Sequence, residues 1–402
     1  MNKVIIDEKK IDVFLERGVA EIFPSKEALK EKLMSGERLK IYQGFDPTGP
    51  YLHVGHAIGI RALKILQELG HQVVFLVGDF TSKIGDPDKG STRKILTDEE
   101  IEKNMAGWKE QASQLIDFSG ENPVLFERNF NWLSKLQLED VLRLMSNFTV
   151  QQILQRDLFK KRLKEDIPLK LHEIIYPLMQ GYDGVAMGVD IEIGGADQTF
   201  NMLIGRDLSK IYLNKEKFVR TNKMMDAPDG ITMSKTKGNG INLGDSAEQM
   251  FGKAMSYPDS AIIPGLELLT DVSMEEIKRI EEEINSGSNP MQFKKLMAYE
   301  IVKTIKSEKE AEVAQEKWEK TFSKKEIPDD VQEIKIKKDE LLVDILLKSK
   351  IVTSKNDFRR LVDEGAITNL DTNEKVLSHT EKVQEGVYRI GKKRFCKIKI
   401  SD

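Results

Sequence analysis

RLKIYQGFDPTGPYLHVGHAIGIRALKILQELGHQVVFLVGDF, residues 38–80, is the stretch on which the fold turns. Leu39 and Ile41 precede a Gly-Phe-Asp-Pro break, the pattern of a strand that ends in a loop. Residues 57–70 place Ile58, Ala62, Ile65, Leu66 and Leu69 on one helical face, and Gly70 supplies the stop. QVVFLVGDF, residues 72–80, is a continuous apolar run of strand length, suited to a parallel sheet buried on both faces. Strand, loop, helix and strand within about 40 residues make a βαβ unit and predict a nucleotide-binding α/β domain.

Outward from this unit, residues 97–182 read as a helical block. Its segment NWLSKLQLEDVLRLMSNFTVQQIL carries enough apolar positions to bury against a core or a partner subunit. GVDIEIGG (188–195) alternates Val189, Ile191 and Ile193 with Asp190 and Glu192 and predicts a strand feeding the helix QTFNMLIGRDL. KFVRTNKMM (217–225) is a further strand, followed by the loop DAPDGITMSKTKGNG. Residues 245–322 are helical and rich in charge, SKKEIPDD (323–330) reads as a linker, and the last 70 residues predict two short helices and then hairpin strands.

Composition narrows the class. The chain has 402 residues, 40% hydrophobic and 32% charged, which suits a soluble protein of two or three domains. The charged N-terminus has no signal-peptide apolar core, and no run approaches the length of a membrane span. The single Cys396 excludes an intrachain disulfide and a cysteine-based zinc site, and places the chain in a reducing cytosol. Net charge is −4, but residues 331–402 hold 16 basic against 12 acidic side chains, a weak polyanion-binding signal in the tail.

Two of the five histidines, His53 and His56, flank Gly55 at the mouth of the first helix. A zinc site needs three or four ligands, and nothing nearby supplies the rest. A helix N-terminus offers unpaired N–H groups and partial positive charge, so it attracts phosphate. Imidazole donors on its first turn extend that cradle, Gly55 gives room for close approach, and Thr48 adds a hydroxyl. Further along, Tyr176, Gln180 and Asp183 recur at i, i+4 and i+7 on one helical face. An aromatic, an amide and a carboxylate there are costly to bury without polar partners, so the spacing leaves two readings open, a polar binding face and a solvated helix face.

These motifs carry a resemblance. PTGPYLHVGH (47–56) resembles the first signature of class I aminoacyl-tRNA synthetases, and Thr232-Met233-Ser234-Lys235-Thr236 resembles the second, Lys-Met-Ser-Lys-Ser. YQGFDPT (42–48), LVGDFTSKIGDP (76–87), YPLMQGYD (176–183) and IGGADQ (193–198) narrow it to the tyrosyl-tRNA synthetase family. The resemblance implies a Rossmann-like parallel-sheet catalytic domain with a helical insertion over residues 1–230. It also implies a mobile signature loop and α-helical anticodon-side domain over 231–325, a linker over 326–338, and a small α+β RNA-binding module over 339–402. It implies that Tyr42 and Asp183 hold the phenol hydroxyl of L-tyrosine, that Tyr176, Gln180 and Asp86 hold its ammonium group, and that Gln198 lies near its carboxylate.

For ATP, with Mg2+, the resemblance places Gly44 and Asp46 at the approach, and Thr48, His53, Gly55 and His56 at the phosphates. Gly195 and Asp197 fall at the ribose, Lys235 at the pyrophosphate with Met233 and Ser234 beside it as ATP-binding residues, and Lys89 and Arg93 on the leaving group. Thr232 stands where the family's second signature has its first lysine. In the tail, LLVDILLKSKIVTSKNDFRRLVDEGAI and YRIGKKRFCKI resemble an RNA-binding module, which implies tRNA contacts by Lys355, Arg359, Arg360, Lys392, Lys393 and Arg394. The expected activity is ligation of tyrosine to tRNA(Tyr) by a cytoplasmic homodimer, with no structural metal and no membrane contact. The alternatives are a tryptophanyl-tRNA synthetase, a small nucleotidyltransferase and a non-catalytic RNA-binding relative. An aspartate at position 183 suits a phenol better than an indole.

Overall fold

The computed structural model describes residues 3–86, 95–225, 240–322, 331–336, 340–349, 351–372, 374–391 and 394–400. The chain divides into two compact units, Met1–Lys317 and Trp318–Asp402.

The first unit is built on a six-stranded sheet, β1 (Val19–Phe23), β2 (Lys40–Phe45), β3 (Gln72–Val77), β4 (Leu125–Arg128), β5 (Ile191–Gly195) and β6 (Phe218–Asn222), in the order β1-β6-β5-β2-β3-β4. β2 to β6 run parallel and β1 closes one edge antiparallel. β3 sits inside the sheet, and Val73 to Val77 are each at most 1% exposed, as an unbroken apolar run requires. Each such side chain contributes about 1.5–3 kcal/mol. Phe75 stacks between Phe45 and Phe126, at 4.5 and 5.5 Å between ring centres.

Helix α1 (Val54–Glu68) crosses from β2 to β3 and buries Ile58, Ala62, Leu63 and Leu66. It starts three residues earlier than its apolar stripe predicts, because His53 caps it. At its other end Gly70, at φ +85°, donates to the Gln67 carbonyl while His71 donates to Leu66, a Schellman ending. A Cβ at Gly70 would also lie 2.6 Å from the Lys3 carbonyl.

Two strands of this sheet escape the sequence reading. β1 carries no alternation, with Glu21 among its exposed positions. β4 falls inside the segment read as helical, and its four residues are all half-buried. The rest of that block is short helices, among them α2 (Leu138–Met145), and then the long α3 (Leu171–Met187), which crosses α4 (Thr199–Leu213). The crossing is close because Gly181 faces Gly205, whose backbone would lie 3.0 Å from a Cβ at 181. Helices at Ala247–Met255, Ile262–Leu269, Met274–Asn285 and Pro290–Ile305 follow.

The second unit carries a five-stranded sheet, β7 (Gln332–Ile336), β8 (Ile367–Asn369), β9 (Glu374–Lys375), β10 (Gly386–Ile390) and β11 (Arg394–Ile400), in the order β7-β11-β10-β8-β9. Residues 332–336, which the resemblance placed in a linker over 326–338, form β7 because they pair parallel with β11. α5 (Leu342–Lys348) and α6 (Lys355–Asp363) cover the sheet. Ser354 caps α6, and Phe358, Leu361 and Val362 turn inward. Cys396 is buried, and burial pushes its thiol up to about 12.

Candidate active site

Strand order reverses between β2 and β5: β2, β3 and β4 build in one direction, β5 and β6 in the other. In such sheets the carboxyl ends of the strands at the reversal open a crevice that takes ligands. β2 leads there into α1, and β5 into α4.

The α1 side is organised by backbone capping. His53 is the N-cap, and its Nδ1 accepts from the Gly55 N–H at 3.1 Å. The His56 Nδ1 accepts in return from the His53 N–H at 3.0 Å. The two rings lie 3.9 Å apart, and both residues are half-buried. A neutral imidazole that accepts at Nδ1 carries its proton on Nε2, so both rings are Nε2–H donors at a helix N-terminus. Gly55 is needed here for a second reason, since a Cβ would press 2.9 Å from the His53 ring.

Thr48 follows a tight turn in which its N–H donates to the Asp46 carbonyl. The loop between is held by Asn104 on the Pro47 carbonyl and Gln111 on that of Pro50. Residues 241–243 pair with 52–54, Val54 donating to Ile241 and Leu243 to Leu52, so Asn242 lies opposite His53. Thr232, Met233, Ser234, Lys235, Lys89 and Arg93 fall outside the described residues.

The other side is a buried polar pocket. Tyr176, Gln180 and Asp183 share α3, with Tyr176 and Asp183 buried. The Asp183 carboxylate accepts from Trp132 Nε1 at 2.7 Å and Asn129 Nδ2 at 3.2 Å. Burial drives its pKa well above the usual carboxylate range, outweighing those two donors, and Glu192 and Asp46 add repulsion. The Tyr42 hydroxyl is buried and faces the Glu192 carboxylate without a well-formed hydrogen bond to it. Burial raises its pKa, and Glu192 and Asp183 raise it further. Tyr176 donates to Asp46 at 2.9 Å, and Thr81 donates to the other Asp46 oxygen at 2.7 Å. The phenol of Tyr176 is held in its protonated form, first by burial and then by Asp46 and Asp86.

Asp86 accepts from Arg156 at 2.7 Å and from Gln198 at 2.9 Å. Gln180 donates to Glu192 at 3.3 Å, and Asn201 donates to both Gln180 and Gln198, at 2.9 and 3.0 Å. Glu192 is ion-paired with the fully buried Lys217. Asp197, exposed, accepts from Gln198, and a Cβ at Gly195 would run into its carboxylate. Gly44 is exposed at the end of β2.

Sequence reasoning missed Thr81, Asn129, Trp132, Arg156, Glu192, Asn201 and Lys217. The one signal for Asn129 and Trp132 is the polar-aromatic run NFNW, which sits at the carboxyl end of an unrecognised strand.

In the second unit, Lys355, Arg359 and Arg360 are exposed on α6. Arg360 pairs with Asp357 and Glu364, Lys355 with Asp344, and Arg394 with Asp357 and the Ile351 carbonyl. Lys392 and Lys393 lie outside the described residues. Among the described residues no group of three or more metal-ligating side chains assembles, and no helix is long and apolar enough to cross a membrane.

Comparison with known proteins bears on this arrangement. Residues 34–323 match the family model of the class I tRNA synthetases for tryptophan and tyrosine. The chain is 39% identical to a tyrosine–tRNA ligase of Thermotoga maritima over 96% of each chain, and 39% identical to one of Carboxydothermus hydrogenoformans over 98% of each. A C-terminally truncated mitochondrial tyrosyl-tRNA synthetase of Aspergillus nidulans superposes with a TM-score of 0.65 at 24% identity, covering 78% of this chain and 94% of its own. The tyrosyl-tRNA synthetase of Archaeoglobus fulgidus, solved with L-tyrosine, has a TM-score of 0.61 at 22% identity and covers 77% of this chain and all of its own. A strand reversal with a histidine-capped helix on one side and a cluster of buried carboxylates on the other thus accompanies near-full-length likeness to one enzyme, and the chain belongs to the tyrosine–tRNA ligase family of class I tRNA synthetases.

Proposed function

We propose that the pocket around Tyr42, Asp183 and Gln180 binds L-tyrosine and that the N-terminus of α1 binds the phosphates of ATP. The observation that carries this reading is the buried Asp183 carboxylate, oriented by Trp132 and Asn129, with the buried Tyr42 hydroxyl in its field and lacking a well-formed hydrogen bond. A phenol hydroxyl placed between them gives the Tyr42 hydroxyl a well-formed hydrogen bond and shares a proton with Asp183. Tyr176, Gln180 and Asp86 face the ammonium group and Gln198 the carboxylate. Gly44 and Asp46 line the approach of ATP, and Gly195 and Asp197 lie at its ribose.

The tyrosine carboxylate oxygen attacks the α-phosphorus of ATP. A P–O bond forms, the bond to the β-phosphate breaks, and pyrophosphate leaves with both electrons. The Nε2–H groups of His53 and His56, with Thr48, Lys235, Lys89 and Arg93, stabilise charge on the phosphates; Met233 and Ser234 complete that signature. The terminal ribose hydroxyl of tRNA(Tyr) then attacks the tyrosyl carbonyl, and AMP leaves. No enzyme nucleophile is needed, because the work is positioning and electrostatic stabilisation. Magnesium enters with ATP as part of the substrate.

In this reading residues 1–230 catalyse, 231–325 carry the signature loop and anticodon-side helices, and 339–402 bind tRNA through Lys355, Arg359, Arg360, Lys392, Lys393 and Arg394. The protein works in the cytoplasm as a homodimer, for which the exposed Leu138, Leu142 and Met145 along α2 supply an apolar face. Amino-acid-dependent ATP–pyrophosphate exchange, run with each of the twenty amino acids, tests the assignment. Exchange with tyrosine far above the rest is expected; exchange led by tryptophan, or none, overturns it.

A further inference from the structure

Two ion pairs close off a chain of three amides beside the tyrosine pocket. At one end Lys217 pairs with Glu192, both buried. At the other Arg156 pairs with Asp86 at 2.7 Å. Gln180 donates its NH2 to Glu192, Gln198 donates its NH2 to Asp86, and the NH2 of Asn201 bridges both glutamine oxygens. Ionised carboxylates only accept, and ammonium and guanidinium groups only donate. The ion pairs therefore fix the polarity of the whole chain, with the acceptor oxygens of Gln180 and Gln198 turned away from the carboxylates.

The fold makes room for this. Glu192 on β5 is the register partner of Tyr42 on β2. Lys217, just before β6, passes between α3 and α4 at Gly184 and Gly205. A Cβ on Gly205 would come 2.5 Å from its ammonium, and one on Gly184 3.3 Å. That ammonium lies 6.0 Å from the centre of the Tyr42 ring. The cost of burying both charges is offset only if each stays paired.

We propose that Glu192 and Lys217 are positioning residues for amino-acid recognition: they lock the Gln180 amide so that its oxygen, not its NH2, is offered to the substrate ammonium group. This rests on the reading of Gln180 as an ammonium acceptor. An NH2 group in that place would repel the ammonium and leave it unpaired.

The test follows hydrogen-bond polarity. In Glu192→Gln, Lys217 takes the new amide oxygen, the new NH2 faces Gln180, and the Gln180 amide must turn over. Inhibition of tyrosine-dependent exchange by tyramine, which has the phenol and the ammonium group, is expected to weaken about tenfold. Inhibition by 3-(4-hydroxyphenyl)propionate, which has the phenol and no ammonium, is expected to hold within about twofold. Adding Lys217→Met frees the amide at 192 to turn its oxygen back to Gln180, and tyramine inhibition is expected to recover to within about threefold. Should E192Q not fold, the apolar pair E192L/K217M removes the acceptor without leaving a bare charge and must show the same loss confined to tyramine. Equal weakening of both inhibitors, or none of either, overturns the proposal. If neither compound competes with tyrosine on the unaltered enzyme, the reading of the pocket itself falls, and the proposal with it.

Discussion

At the N-terminus of α1, where the proposal places the phosphates, two half-buried histidines hold their geometry through bonds to groups two and three residues away. Around Asp183, where the proposal places the amino acid, the side chains come from β2, β5, α3, α4 and the segments after β3 and β4, and most of their bonds join distant parts of the chain, up to 130 residues apart. The first arrangement is a local cap that any helix start can adopt, and its chemistry comes from the choice of imidazole. The second exists only once the sheet has formed, and burial sets its chemistry: four carboxylates, Asp46, Asp86, Asp183 and Glu192, share a small volume, and Lys217 and Arg156 compensate two of them. In the proposed reading one end meets charge that develops during reaction, and the other recognises groups already present.

That division can be broken by paired substitutions. His56→Ala is expected to slow tyrosyl-adenylate formation about 10²–10³-fold with tyrosine affinity unchanged, the usual cost of one donor aimed at developing charge. Asp183→Asn is expected to weaken tyrosine binding about 10–100-fold while ATP affinity holds. Single-turnover adenylate formation at varied tyrosine and ATP separates the two effects. Equal losses in both parameters for either variant would mean that the ends are not independent.

The smallest effect on catalysis is expected at His71, which sharpens the contrast between a working and a structural imidazole. His71 lies beyond the far end of α1, buried, accepting at Nδ1 from the Leu39 N–H. Burial, helped by Arg38, lowers its pKa to about 4. The unfolded chain takes up a proton below about pH 6.5 while the folded chain does not, so this stabilisation is complete above that pH and is lost as pH falls towards 4. Between pH 7 and 5 the wild type should lose about 2 kcal/mol more stability than His71→Gln in urea unfolding, with the exchange rate at pH 7 unaltered. An identical acid response in the two proteins would show that His71 is not buried neutral.

The contrast also explains what the sequence could reveal. The β2–α1–β3 unit, β5, α4 and β6 were legible because apolar periodicity and capping are local. His53 and His56 were legible for the same reason, and Tyr176, Gln180 and Asp183 because a single helix spaces them. β4 was not, because its four half-buried residues show no period. Nor was β7, which is a strand only by virtue of β11 beside it. Lys217 and Glu192 read as ordinary charges in strand segments, and nothing in the chain order says that a glycine at 205 opens space for a buried ammonium. Asn129 and Trp132 reach Asp183 from more than fifty residues away, and their run NFNW says nothing of that partner.

The most direct measurement is a crystal structure of the protein with a non-hydrolysable tyrosyl-adenylate mimic. The phenol oxygen is expected within hydrogen-bond distance of both Asp183 and Tyr42, with the phosphoryl mimic at the N-terminus of α1 and the Nε2 atoms of His53 and His56 turned towards it. A ligand whose aromatic end lies away from Asp183, or whose phosphoryl mimic lies away from α1, would contradict the account.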